Sequence, residues 1–211
     1  MLMKILCISD IHDQFDDYRV AELPHADVAL IAGDLTDWGH RGEARGYGEL
    51  NRARTWLREM GERYSGVFWI PGNHDIGVTA RTFEDVPNAL CILNQTVTVG
   101  PFSLRGVSQT VCFAQPDLKL TWDYMTDSKH ADFLAFDFPL VDIVLSHGPP
   151  GGILDGPGHW GSPAFRSRLV DNPSKLVVCG HIHEDGGKQE RVGETLVVNC
   201  ACVPMLIDLG E

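Results

Sequence analysis

Five short segments of this chain carry residues that ligate metals and move protons: Asp10-Ile11-His12, Gly33-Asp34, Gly72-Asn73-His74-Asp75, His147, and Gly180-His181-Ile182-His183. Taken singly, each is ambiguous. An Asp at the end of a strand often caps a helix, and a lone His is usually a satisfied polar residue. Asn, His and Asp in succession after a Pro-Gly turn are a less ordinary choice for a connection. His181 and His183 stand two residues apart, so both face one side of an extended segment. Imidazole nitrogens with carboxylate and amide oxygens, and no Cys in any of the five segments, suit manganese, iron or zinc. A thiolate structural zinc or an all-oxygen calcium site fits less well. Seven candidate ligands (Asp10, His12, Asp34, Asn73, His147, His181 and His183) exceed the needs of one ion. Two divalent ions about 3.5–4 Å apart sharing a carboxylate account for them, an arrangement suited to phosphoester hydrolysis.

The elements that must position these residues are short apolar runs at 3–9, 28–32, 67–70, 141–146 and 176–179, each followed by one of the five segments. Their length, β-branching and lack of alternation predict strands buried on both faces. In an open α/β sheet the carboxyl ends of such strands converge on one crevice, which is where ligands bind. Residues 43–64 place Leu50, Ala53, Leu57 and Met60 at helical spacing, predicting a crossover helix and a β-α-β start. The 90–107 stretch, broken by Asn-Gln and Gly-Pro, predicts antiparallel hairpin strands and hence a mixed sheet. Ser162-Pro163 predicts the start of a helix over 163–170. Weak periodicity over 110–136 predicts an irregular segment that could act as a lid and set substrate choice. The fold class expected is α/β, a mixed β-sheet sandwich flanked by helices, with residues 1–211 forming a single domain.

A net charge of −12 argues against an extended nucleic-acid surface or an anionic-membrane surface, both of which need clustered Lys and Arg. No run approaches the roughly 20 apolar residues of a membrane span. The start MLMKILCISD lacks a signal-peptide core. The six cysteines (Cys7, Cys91, Cys112, Cys179, Cys200 and Cys202) lie scattered and read as reduced residues, so a cytoplasmic location is expected.

With the five segments in order, the chain resembles the calcineurin-like metallophosphoesterase superfamily from residue 3 to about 203. GDLTDWG, SHGPPGG and GHIHE are most similar to its small phosphodiesterases, including class III cyclic-nucleotide phosphodiesterases and metallophosphoesterase-domain-containing proteins. The Ser/Thr protein phosphatases carry an Arg in their second and third motifs, where this chain has Thr36-Asp37-Trp38 and Asp75-Ile76. A phosphoprotein substrate is therefore disfavoured. The resemblance implies that Asp10, His12 and His183 hold one ion, that Asn73, His147 and His181 hold the other, and that Asp34 bridges them. It further implies that His74 is the general acid or phosphate contact, with Asp75 orienting it through its other ring nitrogen.

The activity implied is hydrolysis of a small phosphodiester, a cyclic nucleotide among the candidates, by a hydroxide held between the two ions. Manganese is the ion expected to support it in vitro, with iron or zinc as alternatives. Phosphomonoester hydrolysis, nuclease action and a metal-binding scaffold without activity are the competing readings. Phe113, Trp122, Tyr124 and Trp160 could stack a planar group, although loop aromatics more often pack the loop down. His159, in the Gly-His-Trp-Gly turn, is a candidate substrate contact, although turn histidines are usually solvated. His25, His40 and His130 have no comparable context. The sequence does not fix the oligomeric state, and a dimer is compatible with it.

Overall fold

The computed structural model describes residues 2–37, 44–111, 123–126 and 136–210. Its centre is two stacked sheets. The first joins β1 (Leu2–Ile8), β2 (Val28–Ile31), β3 (Val67–Trp69), β4 (Ala89–Cys91) and β13 (Met205–Gly210), in the order β13-β1-β2-β3-β4. The second is built from β5 (Thr96–Val99), β6 (Phe102–Val107), β9 (Ile143–Ser146), β10 (Leu176–Cys179), β11 (Lys188–Val192) and β12 (Thr195–Asn199). Its order is β11-β12-β10-β9-β6-β5. A small pair, β7 (Thr110–Val111) with β8 (Met125–Thr126), stands apart.

The short apolar runs form strands because every position has a buried side to fill. In β1, Leu6 and Ile8 point outward to helix α1 (Ala44–Arg63), while Met3, Ile5 and Cys7 point inward to the second sheet. In β10 the same alternation sends Leu176 and Val178 inward, and Val177 and Cys179 outward toward helix α2 (Pro163–Asp171). Period-two side-chain geometry thus turns a continuously apolar run into a strand shared by two cores. Helix α1 returns Leu50, Ala53, Trp56, Leu57 and Met60 to the outer core of the first sheet. Helix α2 starts where Ser162 and Pro163 place it, with Ser162 Oγ accepting from the Phe165 amide at 2.9 Å. The layers run helix, sheet, sheet, helix.

The expected mixed sandwich is the observed one, with two differences. First, the 90–107 stretch is only partly a hairpin. β5 and β6 pair antiparallel across the two-residue Gly100-Pro101 turn, but β4 runs parallel to β3. Short parallel pairing at a sheet edge leaves no periodicity to tell it from a hairpin arm. Second, β11, β12 and β13 extend both sheets beyond the strands that the apolar runs indicate. β11 reads Lys-Gln-Glu-Arg-Val and is exposed over most of its length. An edge strand needs only one satisfied flank, so its composition carries little strand signal. Among the described residues no helix is long and apolar enough to cross a membrane. Of the expected lid over 110–136, most residues lie outside those described, as do Phe113, Trp122, Cys112, His40 and His130.

Candidate metal centre

β1, β2 and β3 run parallel in one sheet, and β6, β9, β10 and β12 run parallel in the other. All five chemical segments follow the carboxyl ends of their strands. Main-chain bonds then stitch these ends together. The Asp10 amide donates to Gly33 O at 3.0 Å, His12 N to Asp34 O at 3.0 Å, His147 N to Val107 O at 3.1 Å, and Gly180 N to His147 O at 3.0 Å. The backbone leaves the extended region abruptly to turn side chains inward. Asp10, His12, Asp34 and His181 all have positive φ, from 47° to 67°. Non-glycine residues in this region are uncommon and cluster at functional sites. Gly180 is required by close approach, since a Cβ there would fall 2.1 Å from Ser9 Oγ and 2.3 Å from Asp10 Oδ2. Gly33 combines φ of 102° with a Cβ position 2.7 Å from His147 Nδ1.

Two groups of electron-pair donors result. In the first, His183 Nε2 lies 3.2 Å from Asp10 Oδ1 and 3.3 Å from His12 Nε2, which is itself 3.7 Å from Asp10 Oδ1. In the second, His147 Nε2 lies 2.9 Å from Asn73 Oδ1 and 3.3 Å from Asp34 Oδ2. The His181 ring stands beside His147, 5.1 Å between centroids. Asp34 Oδ2 is also 3.8 Å from His12 Nε2, so this one oxygen faces both groups. His147 Nδ1 is 2.7 Å from the Ala32 carbonyl, which can only accept. The proton therefore sits on Nδ1, and Nε2 is left to ligate, the tautomer control that metal-binding histidines use.

Electrostatics agree with a site built for cations. Burial alone would raise the Asp10 carboxyl, but hydrogen bonds from His12 and His183 outweigh it and hold the group well below the ordinary carboxylate value. Asp34 is also held low, its burial outweighed by the charge and hydrogen bond of His147. Burial opposes the charge on His147, yet Asp34 carries its pKa up to about 9. Burial and the neighbouring His147 charge push His181 down to about 4, so it stays a neutral donor. Two buried carboxylates surrounded by imidazoles fit divalent transition ions.

His74 sits at the mouth of the same cluster, within 4.8 Å of a His12 and an Asp34 ligand atom. Its amide donates to Asp34 Oδ1 at 2.8 Å, and its Nδ1 is 3.1 Å from both the carbonyl and the Oδ1 of Asp37. Here the structure corrects the role expected of Asp75. The Asp75 carboxylate turns away into the loop and accepts from the amides of Gly72, Leu35 and Thr36 and from Thr36 Oγ1, at 2.8 to 3.2 Å. Burial and the charge of Asp34 raise its pKa to about 6. Adjacent residues of a tight turn point in different directions, so the neighbour in sequence is not the neighbour of the ring. Asp37 holds His74, and the signal for it is the second acid of Gly-Asp-Leu-Thr-Asp, three residues past Asp34.

A cleft of about 340 Å³ opens over the cluster, lined by Asp34, His74, His181, His183, Ile182, Glu184 and Trp160. His159 does not line it. Its side chain is 78% exposed, with Nδ1 3.3 Å from Asp155 Oδ1. The turn that presents His159 to solvent presents its neighbour Trp160 to the cleft, so of the two it is Trp160 that lines it. Tyr124 is engaged elsewhere, its hydroxyl donating to the Val78 carbonyl.

The chain is similar in sequence to several proteins and in fold to several solved structures. A probable rhamnogalacturonate lyase C of Emericella nidulans is 31% identical over 206 residues, 89% of this chain, but the chain spans only 18% of that protein. Metallophosphoesterase domain-containing protein 1 of Homo sapiens is 26% identical over 98% of this chain and 71% of its own length. An uncharacterised Methanocaldococcus jannaschii protein is 26% identical over 93% of this chain and 87% of its own. In fold, the TT1561 protein of Thermus thermophilus superposes with a TM-score of 0.62 over 95% of this chain and 90% of that one, at 17% identity. The phosphopantetheinyl hydrolase of Mycobacterium tuberculosis superposes with a TM-score of 0.56 over 92% and 87%, at 14% identity. Residues 3–185 match the family described as calcineurin-like phosphoesterase, and with strand ends, donor groups and fold in agreement the chain belongs to that family of metal-dependent phosphoester hydrolases.

Proposed function

We propose that the protein is a phosphodiesterase acting on small phosphodiesters, with Asp10, His12 and His183 holding one divalent ion, Asn73, His147 and His181 the other, and Asp34 shared. The observation that carries this reading is the Asp34 Oδ2 oxygen, which faces His12 at 3.8 Å and His147 at 3.3 Å and so joins the two donor groups. When bound, a pair of divalent ions supplies a nucleophilic water near neutral pH and neutralises phosphoryl charge. The protein's own residues do the rest. Main-chain turns at positive φ fix the donors before substrate arrives, so little reorganisation remains for the chemical step. Nδ1 of His74 donates to Asp37, which fixes the ring, and in its imidazolium form the second N–H, on Nε2, is the proton delivered to the departing alkoxide.

The preference for a diester rests on charge. The described residues lining the cleft include Glu184 and no Lys or Arg. A monoester dianion entering there meets an extra negative charge that a diester monoanion feels only half as strongly. The test is to strip the protein with chelator, restore manganese, iron or zinc in turn, and compare bis-p-nitrophenyl phosphate with p-nitrophenyl phosphate. Metal-dependent turnover favouring the diester is expected. Preference for the monoester would overturn the substrate class, and absence of turnover with every metal would overturn the enzymatic reading.

A further inference from the structure

Trp160 is mounted more firmly than a cleft-wall residue needs to be if it only seals a turn. Its indole lies across two glycines. A Cβ at Gly158 would fall 2.4 Å from Cε2, and one at Gly156 would fall 3.3 Å from Cε3, so the loop backbone itself is the bed of the ring. The loop is then tied down from below. Asp155 is 4% exposed and accepts from the amides of Gly152 at 2.6 Å and Gly161 at 3.2 Å, while its carbonyl accepts from the Trp160 amide at 3.0 Å.

Two further sets of bonds fasten this loop to the one that carries the last pair of histidines. The Gly156 amide donates to Asp185 Oδ2 at 2.8 Å. The buried Asn199 amide donates to Leu154 O at 3.2 Å and to Ile182 O at 3.0 Å. Trp160 is thereby held in fixed relation to His181, Ile182 and His183, and it shares their cleft with His74. A ring buried only to pack its loop would have no surface there. Trp160 is half-buried, resting on glycine backbone while also lining the space over the candidate metal centre.

We infer that Trp160 is a stacking platform for the organic substituent of the ester, so that the site selects phosphate esters carrying a flat aromatic or heteroaromatic group. Indole offers the largest π-face among the side chains, and stacking is tolerant of the identity of the ring it receives. The apolar Ile182 beside it suits the edge of such a ring, and Glu184 at the same wall suits a ring bearing N–H donors. This inference rests on the phosphoesterase reading above, because the phosphate is what brings the substituent to the ring.

The test compares methyl phenyl phosphate with methyl cyclohexyl phosphate, diesters that share the phosphate and the size of the substituent and differ in planarity. Their binding to the manganese-restored protein is measured by calorimetry for wild type, Trp160→Leu and Trp160→Phe. Wild type is expected to bind the phenyl diester about tenfold more tightly, a difference in the range that one stacked ring supplies. Trp160→Leu should erase that preference while leaving the cyclohexyl ester nearly unchanged, and Trp160→Phe should keep most of it. Equal binding of the two esters by wild type would overturn the platform, as would a planar preference that survives in Trp160→Leu. Turnover of bis-p-nitrophenyl phosphate without any planar preference defeats the platform alone; no turnover and no phosphate binding defeats the phosphoesterase reading with it.

Discussion

The two sheets supply the site with different chemistry. Turns after β1, β2 and β3 of the first sheet bring both buried carboxylates, Asp10 and Asp34, together with Asn73 and His12. Turns after β9 and β10 of the second bring imidazoles only, His147, His181 and His183. Each donor group draws on both sheets, with His183 meeting Asp10 and His12, and His147 meeting Asn73 and Asp34. The carboxylate charge thus comes from one layer, and the other gives nitrogen donors alone. An ion bound between them would clamp the sandwich, and stability and metal loading should move together.

The change expected to disturb this arrangement most is Asp34→Asn, which keeps the size of a side chain whose single Oδ2 faces both groups but removes its charge. Turnover should fall to background and one ion per chain should be lost, as read by metal analysis and assay of the same preparation. A smaller loss is expected from His74→Asn, about 10²–10⁴-fold in kcat with metal content intact, because only proton delivery is removed. Asp37→Ala should lower kcat less, because the ring loses the contact at Nδ1 that fixes it, whereas Asp75→Asn should leave kcat nearly in place. The latter should instead lower stability by about 1–3 kcal/mol, since its buried acceptors serve the loop rather than the ring.

The contact between the layers can be loosened without touching a ligand. Gly180→Ala forces a Cβ against Ser9 Oγ at 2.1 Å and Asp10 Oδ2 at 2.3 Å, and should cost about 1–3 kcal/mol of stability along with part of the metal affinity. Protons offer a milder handle. In metal-free protein the His147 pKa is raised from 6.5 to about 9, burial being outweighed by Asp34. That stabilisation is complete below pH 6.5 and is lost as pH rises through about 9. The melting temperature of stripped protein should therefore fall over this interval. The rise in melting temperature on adding metal should grow over the same interval, because metal replaces the proton. The smallest effect is expected from His159→Ala, which should change neither turnover nor metal content.

The chemical half of the molecule is more legible in the sequence than its frame. All the candidate ligands follow strands that short apolar runs reveal, because burial on both faces demands continuous apolar sequence. Helices α1 and α2 announce themselves through the spacing of Leu50, Ala53, Leu57 and Met60 and through Ser162-Pro163. β11 and β13 do not, since an edge strand satisfies only one flank and tolerates charged or alternating residues. Side-chain direction is the other gap. Nothing local says that Asp75 turns from His74 toward Thr36, or that Trp160 rather than His159 reaches the cleft, because both outcomes depend on single positive-φ or turn geometries set by tertiary contacts. Asp37 could have been found from its place three residues after Asp34, on the same short turn.

The claim that one carboxylate joins donors from both sheets into a two-ion site is tested most directly by titrating stripped protein with manganese. Bound metal, melting temperature and bis-p-nitrophenyl phosphate turnover should be followed in the same samples of wild type and Asp34→Asn. Wild type should take up two ions per chain, gain stability with them and become active as the second binds, while Asp34→Asn should stop at one ion and stay inactive. Wild-type turnover that survives stripping, or an Asp34→Asn variant that binds two ions and turns over normally, would contradict it.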